Sequence, residues 1–161
     1  MRVLRGMRAD QADGLPAIGE TGRYLGVRPG VDILVAPDGF VDSGTEGMSV
    51  VPPPVENLVD HRRPPDFGGT GKDPVFELDT EDLPGVLVYR PDPANPEGHG
   101  FIEPARRVSF EAERRTTYHN KHRCVSYVSV PSYALGSYIR KGAGRPLLTP
   151  TLSTIVRTGR P

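Results

Sequence analysis

The sequence predicts one small α+β domain, built from six or seven short strands with few helices. Among its 161 residues, 19 glycines and 18 prolines interrupt regular structure at close intervals. Both residues break helices and confine strands to short pieces joined by irregular loops. Apolar residues make up 36 % of the chain, enough for a single core at this length but not for two domains. They fall in short runs punctuated by Gly, Pro and Asp, without sustained helical spacing.

In order, residues 2–7 read as a first strand that breaks at the polar Arg8-Ala9-Asp10. Residues 22–26 read as a short element or turn, and residues 31–35 as a strand closed by Pro37-Asp38-Gly39. There proline presets φ and glycine supplies positive φ. Phe40 and Val41 resume the sheet, residues 47–51 form the next strand, and three prolines at 52–54 stop it. Residues 55–60 suit a short helical turn. The stretch 61–73 reads as a loop; its glycines resemble a phosphate loop, but Lys72 has no Ser or Thr after it and the glycine spacing is wrong for a Walker motif. Residues 75–79 alternate apolar and acidic side chains like a half-buried strand, residues 86–90 form a more continuous apolar strand, and residues 99–103 another. Ser109 is a suitable N-cap for a helix with acids in its first turn, and residues 125–130 alternate like a strand.

Several function classes are set aside at this level. No run approaches the roughly 20 apolar residues of a membrane-spanning helix. The opening Met1-Arg2-Val3-Leu4-Arg5 lacks the apolar segment of a secretory signal. The single cysteine, Cys124, has no partner for an internal disulfide, which suits a reducing compartment and a producer-cell cytoplasmic location. One Cys and four scattered His give no ligand spacing of structural type, so no metal is expected. Charge is unevenly placed although the net is zero. All 20 acids lie at or before Glu113, and the remaining segment carries nine Lys or Arg and no acid. The expected organisation is therefore a domain over residues 1–113 and a basic extension over 114–161, a possible grip for nucleic acid. Its solvated alternative is a tail with no binding role.

Chemistry concentrates at His99-Gly100-Phe101-Ile102-Glu103. On a strand, His99, Phe101 and Glu103 share one face, setting an ionisable pair beside an aromatic ring.

Four pieces in order, Leu4-Arg5-Gly6, Gly22-Arg23-Tyr24-Leu25, the run from Asp32-Ile33-Leu34-Val35 through Gly47-Met48-Ser49-Val50, and His99-Gly100-Phe101-Ile102-Glu103-Pro104-Ala105, resemble the small type VI secretion effector toxins with an ADP-ribosyltransferase-like fold. The likeness spans roughly residues 3–112, with residues 52–73 as an insertion. It implies a split β-sheet clamp with few short helices that holds nicotinamide adenine dinucleotide (NAD). It further implies an antibacterial toxin acting in the target-cell cytoplasm, and a cognate immunity protein as partner. Carried over residue by residue, Arg5 takes the first-strand cofactor position and Ser49 the middle-strand hydroxyl. Glu103 takes the later, variable acidic position. Those toxins carry a threonine where Met48 stands. The resemblance thus makes Glu103 and Ser49 the catalytic pair, with Arg5, His99 and Tyr24 as cofactor contacts. It leaves transfer of ADP-ribose and simple NAD hydrolysis both open. The residue types suit the chemistry, because cleaving a nicotinamide–ribose bond develops oxocarbenium-like charge that a fixed carboxylate favours, and guanidinium forks suit phosphate. Two other readings compete with it. One is a nucleic-acid-cleaving toxin using His99, His119 and His122 with the basic tail; the other is a non-catalytic interaction module.

Overall fold

The structure is a computed structural model that describes residues 1–45 and 47–126. Among the described residues there are eight short strands and one α-helix, an α+β arrangement. The strands are β1 (Arg2–Gly6), β2 (Phe40–Val41), β3 (Met48–Val50), β4 (Val75–Asp79), β5 (Leu87–Pro91), β6 (Gly100–Pro104), β7 (Val108–Ser109) and β8 (Val125–Ser126); α1 is Phe110–His119. They form two three-stranded sheets, β1-β4-β8 and β3-β6-β5, and a small β2-β7 pair, every pairing antiparallel. The two larger sheets touch where β1 meets the residue after β3. Leu4 N–H donates to Val51 C=O at 2.7 Å, and Val51 N–H returns a bond to Leu4 C=O at 2.9 Å. That contact sets Arg5 and Ser49, from different sheets, side by side.

β1 is buried on both faces, which explains its nearly continuous apolar run. Val3 joins a large cluster with Phe76, Leu78, Ile102 and Cys124, while Leu4 faces a second cluster of Val51, Val55, Leu58 and Val75. Gly6 is required by close packing, because a Cβ there would lie 2.7 Å from the backbone oxygen of Arg62. Gly47 is constrained in the same way by the Ile102 carbonyl of the neighbouring strand β6. Ser109 caps α1 as its sequence predicts, its hydroxyl accepting from Ala112 N–H at 3.3 Å.

Two expectations need correction. Residues 31–35 do not form a strand: Asp32 accepts from the backbone N–H of Arg28 and from its guanidinium, at 2.6–2.9 Å, closing a turn that leaves Val31 and Leu34 exposed. The boundary at 113/114 also fails, because it cuts through α1. Thr117, Asn120 and Cys124 are buried beyond it, and β8 pairs with β4 through Glu77↔Val125 and Phe76↔Ser126. Of the strand expected over residues 125–130, the first two residues pair; residues 127–130, and the rest of the basic extension to 161, lie outside the described residues. Burial pushes the Cys124 thiol up to about 12, so at neutral pH it is a small apolar side chain and not a thiolate nucleophile.

The inward face of α1 carries a polar group that makes stability depend on pH. Glu113 is 1 % exposed. Its Oε1 accepts from the Thr117 hydroxyl at 2.7 Å, while Oε2 and the Asn120 Oδ1 have no partner among the described residues. Burial holds the Glu113 carboxyl above its ordinary value, with the Thr117 bond acting the other way. The folded chain therefore binds this proton more tightly than the unfolded chain. Stability is full below the unfolded value and falls as pH rises through the folded one. Glu113→Gln keeps the acceptor for Thr117 and removes that loss. At pH 8 it should stabilise the fold by about 1 kcal/mol, a Tm gain of roughly 2–4 °C for a chain of this length. The gain should vanish near pH 4, where both forms are protonated. Thermal melts at the two pH values measure this; a variant that melts below the parent at pH 8 contradicts it.

Candidate functional site

A cleft lies where the two larger sheets meet and encloses about 460 Å³, within the usual size range of small-molecule sites. Arg5, Ser49 and His99 all line it; Tyr24 and Glu103 do not. Arg28, Asp32, Asn57, Arg62, Asp92 and Asn95 add further polar side chains to its lining.

Arg5 sits in the middle strand positions of β1 and is 6 % exposed. Its guanidinium donates to the carbonyl of Ser49 and, at 3.4 Å, to that of Gly22. Arg62 donates to the same Gly22 carbonyl at 2.8 Å, so one backbone oxygen is held between two guanidiniums. Burial lowers the Arg5 pKa to about 10, Asp32 acts against this, and Arg62 and Arg28 add to it. Arg5 nonetheless remains cationic at neutral pH. Its Nε is buried and has no partner among the described residues. Burial works to raise the Asp32 carboxyl, but the clasp of Arg28 outweighs it and leaves the group below its ordinary value. The cleft is thus lined by three guanidiniums, one of them neutralised by a bidentate carboxylate.

The same cleft holds a chain of hydrogen bonds between side chains. Ser49 lies between two buried residues of β3 and points its own side chain to solvent in the cleft. Its Oγ is 2.6 Å from His99 Nε2, and His99 Nδ1 is 2.8 Å from Asp92 Oδ2. The hairpin loop between β5 and β6 makes this possible. Pro91 pairs with Gly100, so the next residues outward, Asp92 and His99, face each other across the loop. Asp92 N–H donates to His99 C=O at 3.0 Å, and His99 N–H donates to Asn95 C=O at 2.9 Å. The ring is also fixed by Phe101, edge-on at 4.8 Å between centroids. Backbone donation from Ala94 and the bond to His99 hold the Asp92 carboxyl below its ordinary value, so it is ionised at neutral pH.

Glu103 is placed differently from its expected role. It is on the same strand face as Phe101, yet its carboxylate is 3 % exposed and fully engaged. Arg90 Nε and Nη2 donate to its two oxygens at 2.9 and 3.0 Å, and Gly44 N–H adds a third bond at 3.2 Å. The Arg90 guanidinium also covers the Phe101 ring, 5.4 Å from its centre. This corrects the expected pairing of His99 and Glu103: one faces the cleft and the other is locked into the sheet. Tyr24 is half-buried outside the cleft, its hydroxyl accepting from Arg8 at 3.3 Å. His119 bonds the Arg115 carbonyl at the end of α1, and His122 lines a separate recess with Glu77, Asp79 and Asp82; neither lines the cleft of His99. Lys121, from the basic cluster, bonds Asp10 and Asp13 at 2.8 and 2.9 Å.

Sequence reasoning passed over Asp92, Arg28 and Arg62. A signal for Asp92 was present: two strands flanking a short polar loop bring the residues just inside it together, which pairs Asp92 with His99. For the two arginines there was none, since their approach depends on the loop of residues 60–63 packing against Gly6 and Gly22.

Comparisons with protein-family models, curated proteins and solved structures gave no match. Among the described residues no helix is long and apolar enough to cross a membrane, and no three His, Cys, Asp or Glu side chains group as a metal site.

Proposed function

We propose that the cleft takes NAD and that the protein is an antibacterial toxin of the ADP-ribosyltransferase-like kind, delivered by type VI secretion to act in the target-cell cytoplasm. The observation that supports this reading most is the joining of Arg5 and Ser49 across the two sheets, in a cleft that also holds His99. The lining suits such a ligand. A dinucleotide carries a diphosphate, and Arg28 and Arg62 offer guanidinium donors in the lining of the cleft. The hydroxyl of Ser49 and the imidazole of His99 offer donor and acceptor groups for a ribose. Arg5 acts from beneath, holding the Ser49 backbone and adding positive charge to the floor. When bound, NAD supplies a nicotinamide–ribose bond whose cleavage develops positive charge on the sugar. The chain's own part is to hold the diphosphate, orient the ribose hydroxyls and accept a proton at His99 Nε2. A producing cell needs protection from this activity, so the partner is a cognate immunity protein that covers the cleft.

Isothermal titration with NAD tests the reading. Wild-type protein should bind with a Kd below the millimolar range. Arg62→Ala removes a cleft-lining cation and should weaken binding roughly tenfold, as for one charge-assisted hydrogen bond. Absence of binding at millimolar NAD by a folded wild-type protein rejects it.

A further inference from the structure

We propose that Asp92, His99 and Ser49 form a proton relay that makes the Ser49 hydroxyl a nucleophile toward an electrophilic centre on a phosphorylated ligand. The relay rests on the cleft being the functional site but not on NAD being its ligand.

The argument follows from which atoms can carry protons. Asp92 is ionised and its oxygens only accept, so the 2.8 Å contact requires a proton on His99 Nδ1. With that proton on Nδ1, the neutral form of the ring carries its lone pair at Nε2, 2.6 Å from Ser49 Oγ, placed to accept from the Ser49 hydroxyl. This arrangement of hydroxyl, base and orienting carboxylate recurs on unrelated folds and is recognised by its geometry. Three features here go beyond a chance surface hydrogen bond. Ser49 is accessible in the cleft although its strand neighbours Met48 and Val50 are buried. The imidazole is fixed from three sides, by Asp92, by Phe101 and by its own backbone bond to Asn95. Asp92 is itself fixed, its second oxygen accepting from Ala94 N–H at 2.9 Å. Asp92 is thus a positioning residue acting through His99. The guanidiniums of Arg5, Arg28 and Arg62 line the same cleft and select an anionic, phosphate-bearing ligand.

A fluorophosphonate probe tests the relay without NAD. In the expected step Ser49 Oγ attacks phosphorus and an Oγ–P bond forms. The hydroxyl proton passes to His99 Nε2, the P–F bond breaks and fluoride leaves. Peptide mass mapping should place the phosphonate on Ser49 in the wild type. No adduct should form at that position in Ser49→Ala or in unfolded protein. Labelling should slow at least a hundredfold in His99→Ala and in Asp92→Asn, whose amide would turn a donor toward Nδ1 and force the proton to Nε2. Nitrogen NMR of the His99 ring gives a second readout, one that a purely structural Asp92 would not move. The wild type should show the Nδ1–H tautomer and Asp92→Asn the Nε2–H form. Asp92→Glu should recover part of the labelling rate. Failure of folded wild type to label Ser49 faster than unfolded protein overturns the proposal, as does an unchanged rate in His99→Ala. If NAD binds but the probe does not label Ser49, only the relay falls; if the probe labels Ser49 and NAD does not bind, only the NAD reading falls.

Discussion

A chain ended after Tyr118 should lose its cooperative thermal transition, or melt more than 10 °C below the full-length protein. The segment removed looks dispensable by composition, being basic, free of acids and with little apolar periodicity. Its first residues nonetheless close the fold. Asn120 is 2 % exposed, and its backbone N–H bonds the Thr117 and Tyr118 carbonyls that end α1. Lys121 ties this turn to Asp10 and Asp13, and Arg123 bonds the Asp82 carbonyl. Cys124 is fully buried in the cluster that contains Phe76 and Ile102, and β8 covers one edge of β4. Removing one fully buried apolar side chain costs about 2–5 kcal/mol once the cavity it leaves is counted. Loss of the strand ladder and the helix end adds to this, and the total approaches the whole stability of a small domain, about 5–15 kcal/mol. Circular dichroism melts decide the matter. A cooperative transition within a few degrees of the full-length value would show that residues 119–126 are packed but not needed.

The misplaced boundary has a physical origin. Helices announce themselves through an apolar stripe, and the inward face of α1 is built from Glu113 and Thr117, with Asn120 next to it in the following turn. Polar residues that bury by bonding one another leave no hydrophobic periodicity to read. The strands were legible for the opposite reason. β1 and β4 are packed on both faces or nearly so, and their composition follows burial directly. Residues 31–35 have the composition of a strand, but the bidentate clasp between Arg28 and Asp32 decides their backbone, and no propensity scale weighs such a bond. The site divides in the same way. Arg5, Ser49 and His99 could be singled out because each sits on a strand or at its edge, flanked by glycine or apolar neighbours. Their association, and the part of Asp92, depend on the register of β5 against β6 and on the contact between Leu4 and Val51. Those are tertiary facts.

Glu103→Gln should lower Tm by several degrees while leaving the reactivity of Ser49 unchanged, the reverse of what a catalytic carboxylate would show. The sequence places an acid four residues from His99 on one strand face, and such a pair suggests shared chemistry. In the fold, both Glu103 oxygens accept from Arg90, one also accepts from Gly44, and the side chain does not line the cleft. Glutamine keeps one acceptor, but its amide nitrogen turns a donor toward the guanidinium. Losing a hydrogen bond between charged groups in a buried setting costs about 1.5–3 kcal/mol. The cost falls short of the roughly 3–5 kcal/mol of a fully buried broken pair, because Arg90 is 32 % exposed and recovers hydration. The double substitution Arg90→Met with Glu103→Met removes both charges and should be less destabilising than the sum of Arg90→Met and Glu103→Met taken separately, since no charge is left unpaired. Melting temperatures of the two single variants and the double give the coupling. Fluorophosphonate labelling of Ser49 in Glu103→Gln, run below its melting range, gives the chemical readout. A labelling rate at least a hundredfold lower, with Tm unmoved, would restore Glu103 to the reacting centre. A lowered Tm with an unchanged rate places Glu103 in the frame that holds Phe101 against His99.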